Sequence, residues 1–395
     1  MKVWSAISLF GQRPDLFFFA LLVIFLPSQL GLHFWPEWAL VAGIRVDYLS
    51  PTIYFTDILA ILLLISNLKS LNLKPNLKTK ICLIFLLAFI VVNTLNAINP
   101  SITIYKWLKV LEMAGVALYV FRNKEVVAKF LPRLLPIPLF YTLILALAQF
   151  LNSGTVGGVF YLLGERTFRI TTPGIALGAI FDETFLRPYA SFSHPNVLGG
   201  FGLVSYILGS SLGLPLVLIS FSEGAWIAGV ATVLLRKFLS QIHRQILLSM
   251  VLISILLMPI GSMVMQVTHT RLPETISNRL RLSAIAGEAF AKSPLIGVGL
   301  GNYIPFIPRS AFQGSQWFLQ PAHNIFLLVL AETGAIGLAL FCLLLFRVLK
   351  NSLVTSAYSL MPAVLAVMLT GMFDHYWLTL QQPMLLFAIV IGILF

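Results

Sequence analysis

The chain has 395 residues, of which 58% are hydrophobic and only 10% are charged. Since a soluble domain carries about 25% charged residues, the composition excludes an ordinary soluble protein and predicts one embedded in a membrane. The net charge of +12 does not indicate nucleic acid, because lysine and arginine collect in the cytoplasmic loops of membrane proteins. Cys82 and Cys342 lie in apolar runs and form neither a disulfide framework nor a metal-binding pattern.

Long apolar runs predict the membrane spans. They lie near residues 15–32, 52–67, 81–98, 102–121, 134–151, 195–235, 246–266, 322–346, 354–373 and 377–395. The first run has no small-residue cleavage site after it, so we interpret it as a span and not as a cleaved signal peptide. For 195–235 we predict three short or broken helices with turns near Gly209–Gly213 and Ser222–Gly224; two spans that break the positive-inside rule are the alternative. The predicted fold class is all-α, a single polytopic membrane domain over residues 1–395 with about 12 spans.

Four clusters of basic residues orient these spans, and we expect all four on the cytoplasmic side. They are Lys69, Lys74, Lys78 and Lys80; Arg122, Lys124, Lys129 and Arg133; Arg236, Lys237 and Arg244; and Arg347 and Lys350. Among the loops that then face outward, 152–193 and 267–321 are long enough to indicate function. The second contains the helix-like piece ETISNRLRLSAIAGEAFAKS. We expect a cap at Thr275 or Ser277 and an end at Ser293-Pro294.

Polar residues gather in four outward-facing segments, and the first of these is LRPYASFSHPNVLGGF, residues 186–201. Ser193 as a cap and Pro195 in the first turn are ordinary helix-start signals. The functional interpretation stands beside that one: Arg187, His194 and Asn196 line an outer cavity.

The second segment, SNRLRLS, places Arg279 and Arg281 in the large outer loop. A guanidinium group binds phosphate through a fixed fork of hydrogen bonds, and a lipid-linked pyrophosphate needs such a partner at the bilayer surface. A solvated basic face is the alternative. Because residues two apart do not share a helix face, we expect only one of the two to point into a site, and we favour Arg279.

The third segment opens a span with His323 and Asn324. Histidine titrates near neutral pH and is a candidate general base, which Asn324 would orient unless it binds a sugar hydroxyl instead. Glu332 lies about 13 Å further along the helix, too far to touch His323. An ionisable group inside a span needs a partner, and helix packing through Gly334 and Gly337 is as good an interpretation of this region as catalysis.

The fourth segment is FDHYWLTLQQP, in which Asp374 and His375 stand beside Tyr376 and Trp377. Anchoring of the aromatic rings at the membrane interface is slightly favoured over a role in a site. The segment GVGLGNY, residues 297–303, lacks the spacing of a phosphate loop, so we interpret it as a tight outer turn. The sequence contains neither a histidine pair at metal-binding spacing nor a carboxylate pair of the glycosidase type, and no metal or cofactor is predicted.

Four of these motifs follow one another in order: SHPNVLGGF, SFSEGAW, NRLRLSAIAGEAFAKSPLIGVGLGNY and AHNIFLLVLAETGAIGLALF. Their order and character resemble the O-antigen ligase family of membrane glycosyltransferases. That family includes lipopolysaccharide O-antigen ligases, O-antigen polymerases and protein O-oligosaccharyltransferases. The resemblance covers roughly Arg187 to Phe341, with weaker signals in VAGIRVDYLSPTIYFTDILAILLL and FDHYWLTLQQP.

The resemblance implies a multi-pass protein of the bacterial inner membrane with about 12 transmembrane helices and a large helical periplasmic loop. It implies metal-independent, inverting transfer of a glycan from undecaprenyl pyrophosphate to an acceptor hydroxyl. By position, His323 matches the histidine thought to activate the acceptor, and Arg279 matches the arginine thought to hold the pyrophosphate. Glu223 departs from the family, because many members carry arginine there and a carboxylate does not bind pyrophosphate. Either Arg187 or Arg281 compensates, the acceptor differs, or activity is lost.

Two other classes of function stay open. A transporter or flippase of lipid-linked glycans tends to show inverted repeats and polar sites at the membrane midplane; we find no repeat, and only Asp57 and Glu112 lie where such a site is expected. The other class is a scaffold that has lost catalysis. Its one argument is Glu223, which stands where many members of the family carry arginine. The expected partners are the lipid-linked donor, membrane lipid and an acceptor, and no nucleic acid is expected. The acceptor is a lipid A core sugar, a growing glycan, a protein serine or a wall polymer.

Overall fold

Helices account for most of the computed structural model, which describes residues 13–68, 76–180, 183–235, 245, 249–250, 252–253, 274–308, 310, 318–354 and 360–395. In chain order the helices are α1 (Pro14–Ile24), α2 (Phe55–Ser66), α3 (Leu77–Leu95), α4 (Pro100–Arg122), α5 (Lys124–Leu134), α6 (Pro136–Asn152), α7 (Pro195–Ile207), α8 (Gly213–Ile219), α9 (Glu223–Leu235), α10 (Glu274–Lys292), α11 (Tyr303–Phe306), α12 (Ile325–Val354), α13 (Met361–Gly371), α14 (Tyr376–Thr379) and α15 (Gln381–Leu394). The predicted span 246–266 lies almost entirely outside the described residues, as do Lys69, Lys74, Arg236, Lys237 and Arg244.

Short antiparallel hairpins lie in the segments that connect the helices. The strands pair as β1 (Gly31–His33) with β4 (Thr52–Tyr54), β2 (Leu40–Val41) with β3 (Ile44–Arg45), and β5 (Leu177–Ile180) with β6 (Glu183–Leu186). The fold is therefore mostly helical and not purely α as predicted. Each hairpin lies within, or at the two ends of, one of the long connections 33–51 and 152–193, where strand pairing satisfies backbone groups that no helix satisfies.

Three helical segments in the described part of the chain are long and apolar enough to cross a membrane: Leu77–Leu95, Lys124–Asn152 and Ile325–Ser352. Only 11% of the most apolar window of Leu77–Leu95 is buried within the protein. A helix that exposes apolar side chains on nearly every face needs lipid around it. The structure thus supports a membrane protein, while the total of about 12 spans and their orientation stay predictions.

The stretch 195–235 forms three short helices, α7, α8 and α9, separated at 208–212 and 220–222. Glycine allows the first two to approach closely, because a Cβ added at Gly202 would lie 2.9 Å from the carbonyl oxygen of Gly213. One neighbouring prediction is wrong. The second basic cluster, Arg122 to Arg133, was expected to form a cytoplasmic loop, but most of it is helix α5. Its residues Val127 and Leu131, one turn apart, are buried, so an apolar stripe folds this stretch onto the bundle.

Helix α15 lies in the centre of the bundle, where it packs along α4 and also contacts α12 and α13. Its residues Leu385, Ile389 and Ile393 are buried. At Gly392 the backbone of Ala117 comes so close that no side chain would fit. This packing fixes the start of α15, and with it the segment 372–380 that precedes it.

A charged network lies inside the bundle between α2, α4 and α15. The Nζ atom of Lys109 contacts the carboxylate of Asp57 and lies 3.3 Å from both Glu112 Oε2 and Gln381 Oε1. Gln381 donates a hydrogen bond to Asp57, which also accepts one of 2.9 Å from the backbone N–H of Tyr54. The two acidic residues that were candidates for a midplane transport site are thus paired with a buried cation.

Helix α12 is broken at Gly334, whose φ of 66° and ψ of −169° suit glycine alone. The break frees the carbonyls of Ala331 and Glu332, which accept hydrogen bonds of 3.0 Å from the N–H groups of Val298 and Gly299. A helix break at membrane depth is tolerated where another protein segment satisfies the freed backbone. The segment GVGLGNY does this. It has the turn geometry that was predicted, and it also satisfies the backbone of the broken helix, which was not predicted.

The side chain of Glu332 is held by the same segment. Its Oε1 accepts a hydrogen bond of 3.3 Å from the backbone N–H of Tyr303, and its backbone carbonyl accepts one of 3.0 Å from Asn93 Nδ2. Glu332 therefore fastens the broken helix to its neighbours, and its burial is compensated by backbone donors.

A second hydrophobic core lies beneath the large outer loop. Leu282, Ile285, Ala286 and Ala289 follow a helical spacing along α10 and are buried against the first turns of α12. Helix α10 ends at Lys292, before Pro294, as predicted.

The expected start of α10 is wrong by a few residues. The helix begins at Glu274, so Thr275 and Ser277 lie within it and do not cap it.

Candidate active site

A cavity of about 2020 Å³ joins the outer-loop segments to the helical bundle. It is lined by six of the predicted site residues: Arg187, His194, Asn196, Glu223, Arg279 and His323. Asp374 and His375 line it as well. Between α4 and α15 the cavity continues to Phe121 and Phe395, so its polar part and an apolar groove form one space.

The start of α7 holds one side of the polar part. His194 caps the helix, since its Nδ1 accepts a hydrogen bond of 3.1 Å from the backbone N–H of Asn196; the expected cap, Ser193, does not take this role. Asn196 Oδ1 accepts a hydrogen bond of 2.9 Å from Arg187 Nη2, and Arg187 Nε donates to the carbonyl of Ser220 at 3.2 Å. The cap thus positions an amide that holds a guanidinium group in the cavity wall.

The two arginines of α10 lie in different environments. Arg279 lines the cavity and donates a hydrogen bond of 3.4 Å from Nη1 to the carbonyl of Phe373. Arg281 is not among the lining residues, because two residues along a helix turn the side chain by about 200°. A phosphate in the cavity would meet Arg279.

His323 and Asn324 are adjacent but take different roles. Asn324 is 3% exposed and caps α12, because its Oδ1 accepts hydrogen bonds of 2.9 and 3.1 Å from the N–H groups of Phe326 and Leu327. Its Nδ2 donates to the carbonyl of Met372 at 3.1 Å. Both ends of its amide are bonded to backbone, which indicates a structural role. A direct contact of Asn324 with a sugar hydroxyl or with the base stays a prediction. His323 faces the cavity.

Asp374 and His375 belong to the site, which sequence reasoning missed by favouring membrane anchoring for this segment. The rings of His323 and His375 lie 5.1 Å apart between centroids. Asp374 Oδ2 accepts a hydrogen bond of 3.3 Å from Asn196 Nδ2, so this carboxylate links α7 to the histidines. An aspartate beside a histidine in so apolar a chain was the available signal, because ionisable groups at membrane depth are rare unless they function.

The aromatic residues after this pair are not interfacial anchors. Trp377 is completely buried and its Nε1 donates to Thr370 Oγ1 at 2.8 Å. Tyr376 is 2% exposed and packs so closely on Gly200 that an added Cβ there would overlap its hydroxyl. Both rings hold Asp374 and His375 against the bundle.

The cluster sets the protonation of its own members. Burial lowers the pKa of His323, with Asp374 opposing, and lowers the pKa of His375 to about 3 and that of His194 to about 4. Burial raises the pKa of Asp374, but the opposing charge interactions with His375, His323 and His194, and then with Arg279, outweigh burial and lower it to about 2. At neutral pH the site therefore holds an ionised carboxylate and neutral imidazoles with available lone pairs.

The geometry describes a helical membrane protein with a polar, histidine-containing cavity that continues into an apolar groove. Residues 208–342 match the model of the O-antigen ligase family. The matched range includes Glu223, Arg279 and His323, and it confirms the resemblance over that part of the chain. No curated protein matches the chain. The family match and the apolar helices together point to a glycosyltransferase-like membrane enzyme.

Proposed function

We propose that the protein transfers a glycan from an undecaprenyl-pyrophosphate donor to an acceptor hydroxyl at the outer face of the bacterial inner membrane, as an O-antigen ligase or polymerase. One observation carries the proposal: His323, Arg279, Arg187 and Asp374 come from distant parts of the chain and line one cavity that also has an apolar groove. A lipid-linked pyrophosphate is complementary to such a cavity, because its apolar tail fits the groove and its anionic, glycan-bearing head fits the polar part.

In the proposed reaction His323 accepts the proton of the acceptor hydroxyl. The oxygen attacks the anomeric carbon from the side opposite the pyrophosphate, the carbon–oxygen bond to the carrier breaks, and its electron pair stays on the departing phosphate. A single displacement of this kind inverts the anomeric configuration and requires no metal. Holding base, hydroxyl and anomeric carbon together in a cavity supplies the proximity that such a step needs.

Arg279 is the proposed partner of the departing pyrophosphate. Among the described residues its guanidinium group donates only to the carbonyl of Phe373, so most of its five N–H donors can reach a phosphate. Arg187, in contrast, has both Nε and Nη2 engaged by Ser220 and Asn196. A fixed cation next to the leaving group stabilises the charge that grows there in the transition state.

Glu223 at the start of α9 is exposed to the cavity and lies close enough to Arg187 for their charges to interact. We assign it to contacts with glycan hydroxyls and leave the pyrophosphate to Arg279. In this assignment the departure from arginine changes what the site recognises without removing the base or the phosphate partner.

The test is transfer in proteoliposomes, with a labelled undecaprenyl-pyrophosphate glycan, a panel of acceptors, wild type, His323→Ala and the control His33→Ala. We expect release of the carrier pyrophosphate and a new glycosidic bond with wild type and the control, and neither with His323→Ala. Full transfer by a well-inserted His323→Ala protein would refute the role of the base. Movement of the lipid-linked donor across the vesicle without a new bond would instead establish the transporter, and neither event with any acceptor would establish the inactive scaffold.

A further inference from the structure

Three side chains that are candidates for metal binding meet in the cavity wall: His323, Asp374 and His375. One ligand atom from each lies within 4.8 Å of the others. The sequence hides this group, because His323 and the Asp374–His375 pair are about fifty residues apart and only the packing of α12 against α13 brings them together.

The ring of His375 is held by Thr379, and its Nε2 lies on the side of Asp374. Thr379 donates its hydroxyl hydrogen to the carbonyl of His375 at 3.2 Å, and its Oγ1 lies 2.7 Å from His375 Nδ1. When the hydroxyl donates to the carbonyl, Nδ1 of His375 is the donor to Thr379 and Nε2 keeps its lone pair. This is the tautomer that a metal site requires. His375 Nε2 lies 3.9 Å from Asp374 Oδ1. A histidine whose other nitrogen is held by a hydrogen bond is the usual arrangement of a metal ligand.

The carboxylate is fixed in the same way. Asp374 Oδ1 accepts a hydrogen bond of 2.8 Å from the backbone N–H of His375, and Oδ2 accepts the one from Asn196. His323 differs, because its Nδ1 is buried and has no hydrogen-bond partner among the described residues. No hydrogen bond at Nδ1 therefore holds the imidazole away from the other two ligands, although the ring also interacts with the backbone carbonyl of Pro321.

We propose that His323, Asp374 and His375 form a binding site for a divalent transition metal of the Zn²⁺ type, with the fourth position open to the cavity. Two imidazoles and one carboxylate with an open position are a known ligand set of zinc. Bonds of about 2.0–2.2 Å place tetrahedral ligand atoms roughly 3.4 Å apart, so the ligands need to close by no more than about 1.4 Å. Mg²⁺ is excluded, because it prefers oxygen ligands in octahedral geometry.

The consequence for activity rests on the proposed function. A metal ion bound to His323 uses the lone pair that would accept the acceptor proton, and it adds positive charge beside the cavity. The metal therefore inhibits a transfer that itself requires none, and a chelator restores the activity.

The test is isothermal titration of ZnCl₂ into the purified full-length protein in detergent after chelator treatment, with MgCl₂ as the comparison metal. We expect one zinc site in wild type and in His33→Asn, no magnesium binding, and at least tenfold weaker zinc binding in His375→Asn. Thr379→Val removes the hydrogen bonds of Thr379 Oγ1 to the ring and to the carbonyl of His375, and we expect the zinc affinity to fall about 10–100-fold. If His375→Asn does not purify as a folded protein, Thr379→Val provides the decisive comparison.

Zinc binding that is absent from wild type, or equally tight in wild type and both cluster variants, overturns the proposal. The transfer assay is run on the same samples, and we expect zinc to inhibit wild type at least tenfold more strongly than Thr379→Val. Zinc binding by a protein that never transfers a glycan would leave the metal site established and the proposed function refuted. Transfer by a protein that binds no zinc would leave the proposed function established and the metal site refuted.

Discussion

Replacing Gly334 with alanine should destabilise the protein by about 3–5 kcal/mol. A residue other than glycine held at this φ and ψ costs about 1–3 kcal/mol, and the added Cβ would overlap the backbone of Leu295. Leu295 would have to move, which weakens two hydrogen bonds of 2.8 and 3.2 Å, from Ala335 N–H to the Pro294 carbonyl and from Ile336 N–H to the Leu295 carbonyl. Each contributes about 1 kcal/mol.

The assay is the thermal unfolding midpoint of the purified protein in detergent. With an unfolding entropy of about 2.1 cal/mol/K per residue, the predicted loss corresponds to a decrease of about 4–6 °C. The control is Gly229→Ala in α9, where the new methyl group would lie an ordinary 3.5 Å from Leu203 and alanine favours the helix by about 1 kcal/mol. A Gly334→Ala protein that melts within a degree of wild type would refute the argument that the break in α12 depends on glycine.

Three further substitutions test the bundle and the site. Lys109→Met leaves Asp57 as an uncompensated buried carboxylate and should cost about 3–5 kcal/mol by denaturant unfolding, whereas adding Asp57→Asn should restore part of that loss; equal stability of the single and double variants would contradict the pairing. Arg279→Lys should reduce transfer about a hundredfold, the magnitude of losing one fixed donor to a developing charge, and leave the melting midpoint unchanged; unaltered transfer would remove Arg279 from the pyrophosphate site. Asn196→Ala removes the hydrogen bonds of Arg187 Nη2 and Asp374 Oδ2, so transfer should fall about tenfold, within the range for a supporting hydrogen bond; a rate equal to wild type would show that this amide positions nothing the reaction needs.

Local sequence signals predicted the elements but not most of the contacts. Apolar run length locates most of the helices, and the turn residues in 195–235 correctly divide it into three, because both signals act within a few residues. The break of α12 was not predicted. The hydrogen bonds that stabilise it come from GVGLGNY, a segment that lies more than thirty residues earlier in the chain. The same limit applies to Asp374 and His375, whose place in the site depends on what the neighbouring rings pack against. Trp377 bonds to Thr370 and Tyr376 packs on the distant Gly200, and the second contact is not visible in the local sequence.

In the pair His323-Asn324, the structural contacts of Asn324 determine where His323, the proposed base, lies. Asn324 caps α12 with its oxygen and fixes Met372 with its nitrogen, so a single side chain joins the start of α12 to the segment that carries Asp374. Because His323 directly precedes this joint, the separation between its backbone and that of Asp374 follows from a backbone connection, and only the rotation of the imidazole is left to the side chain. Substrate positioning that depends on such a connection tolerates little movement, since displacements of about 1 Å can cost a hundredfold in rate. In this polar pair at the start of an apolar helix, Asn324 is thus the residue that holds His323 in place for its proposed role as the base.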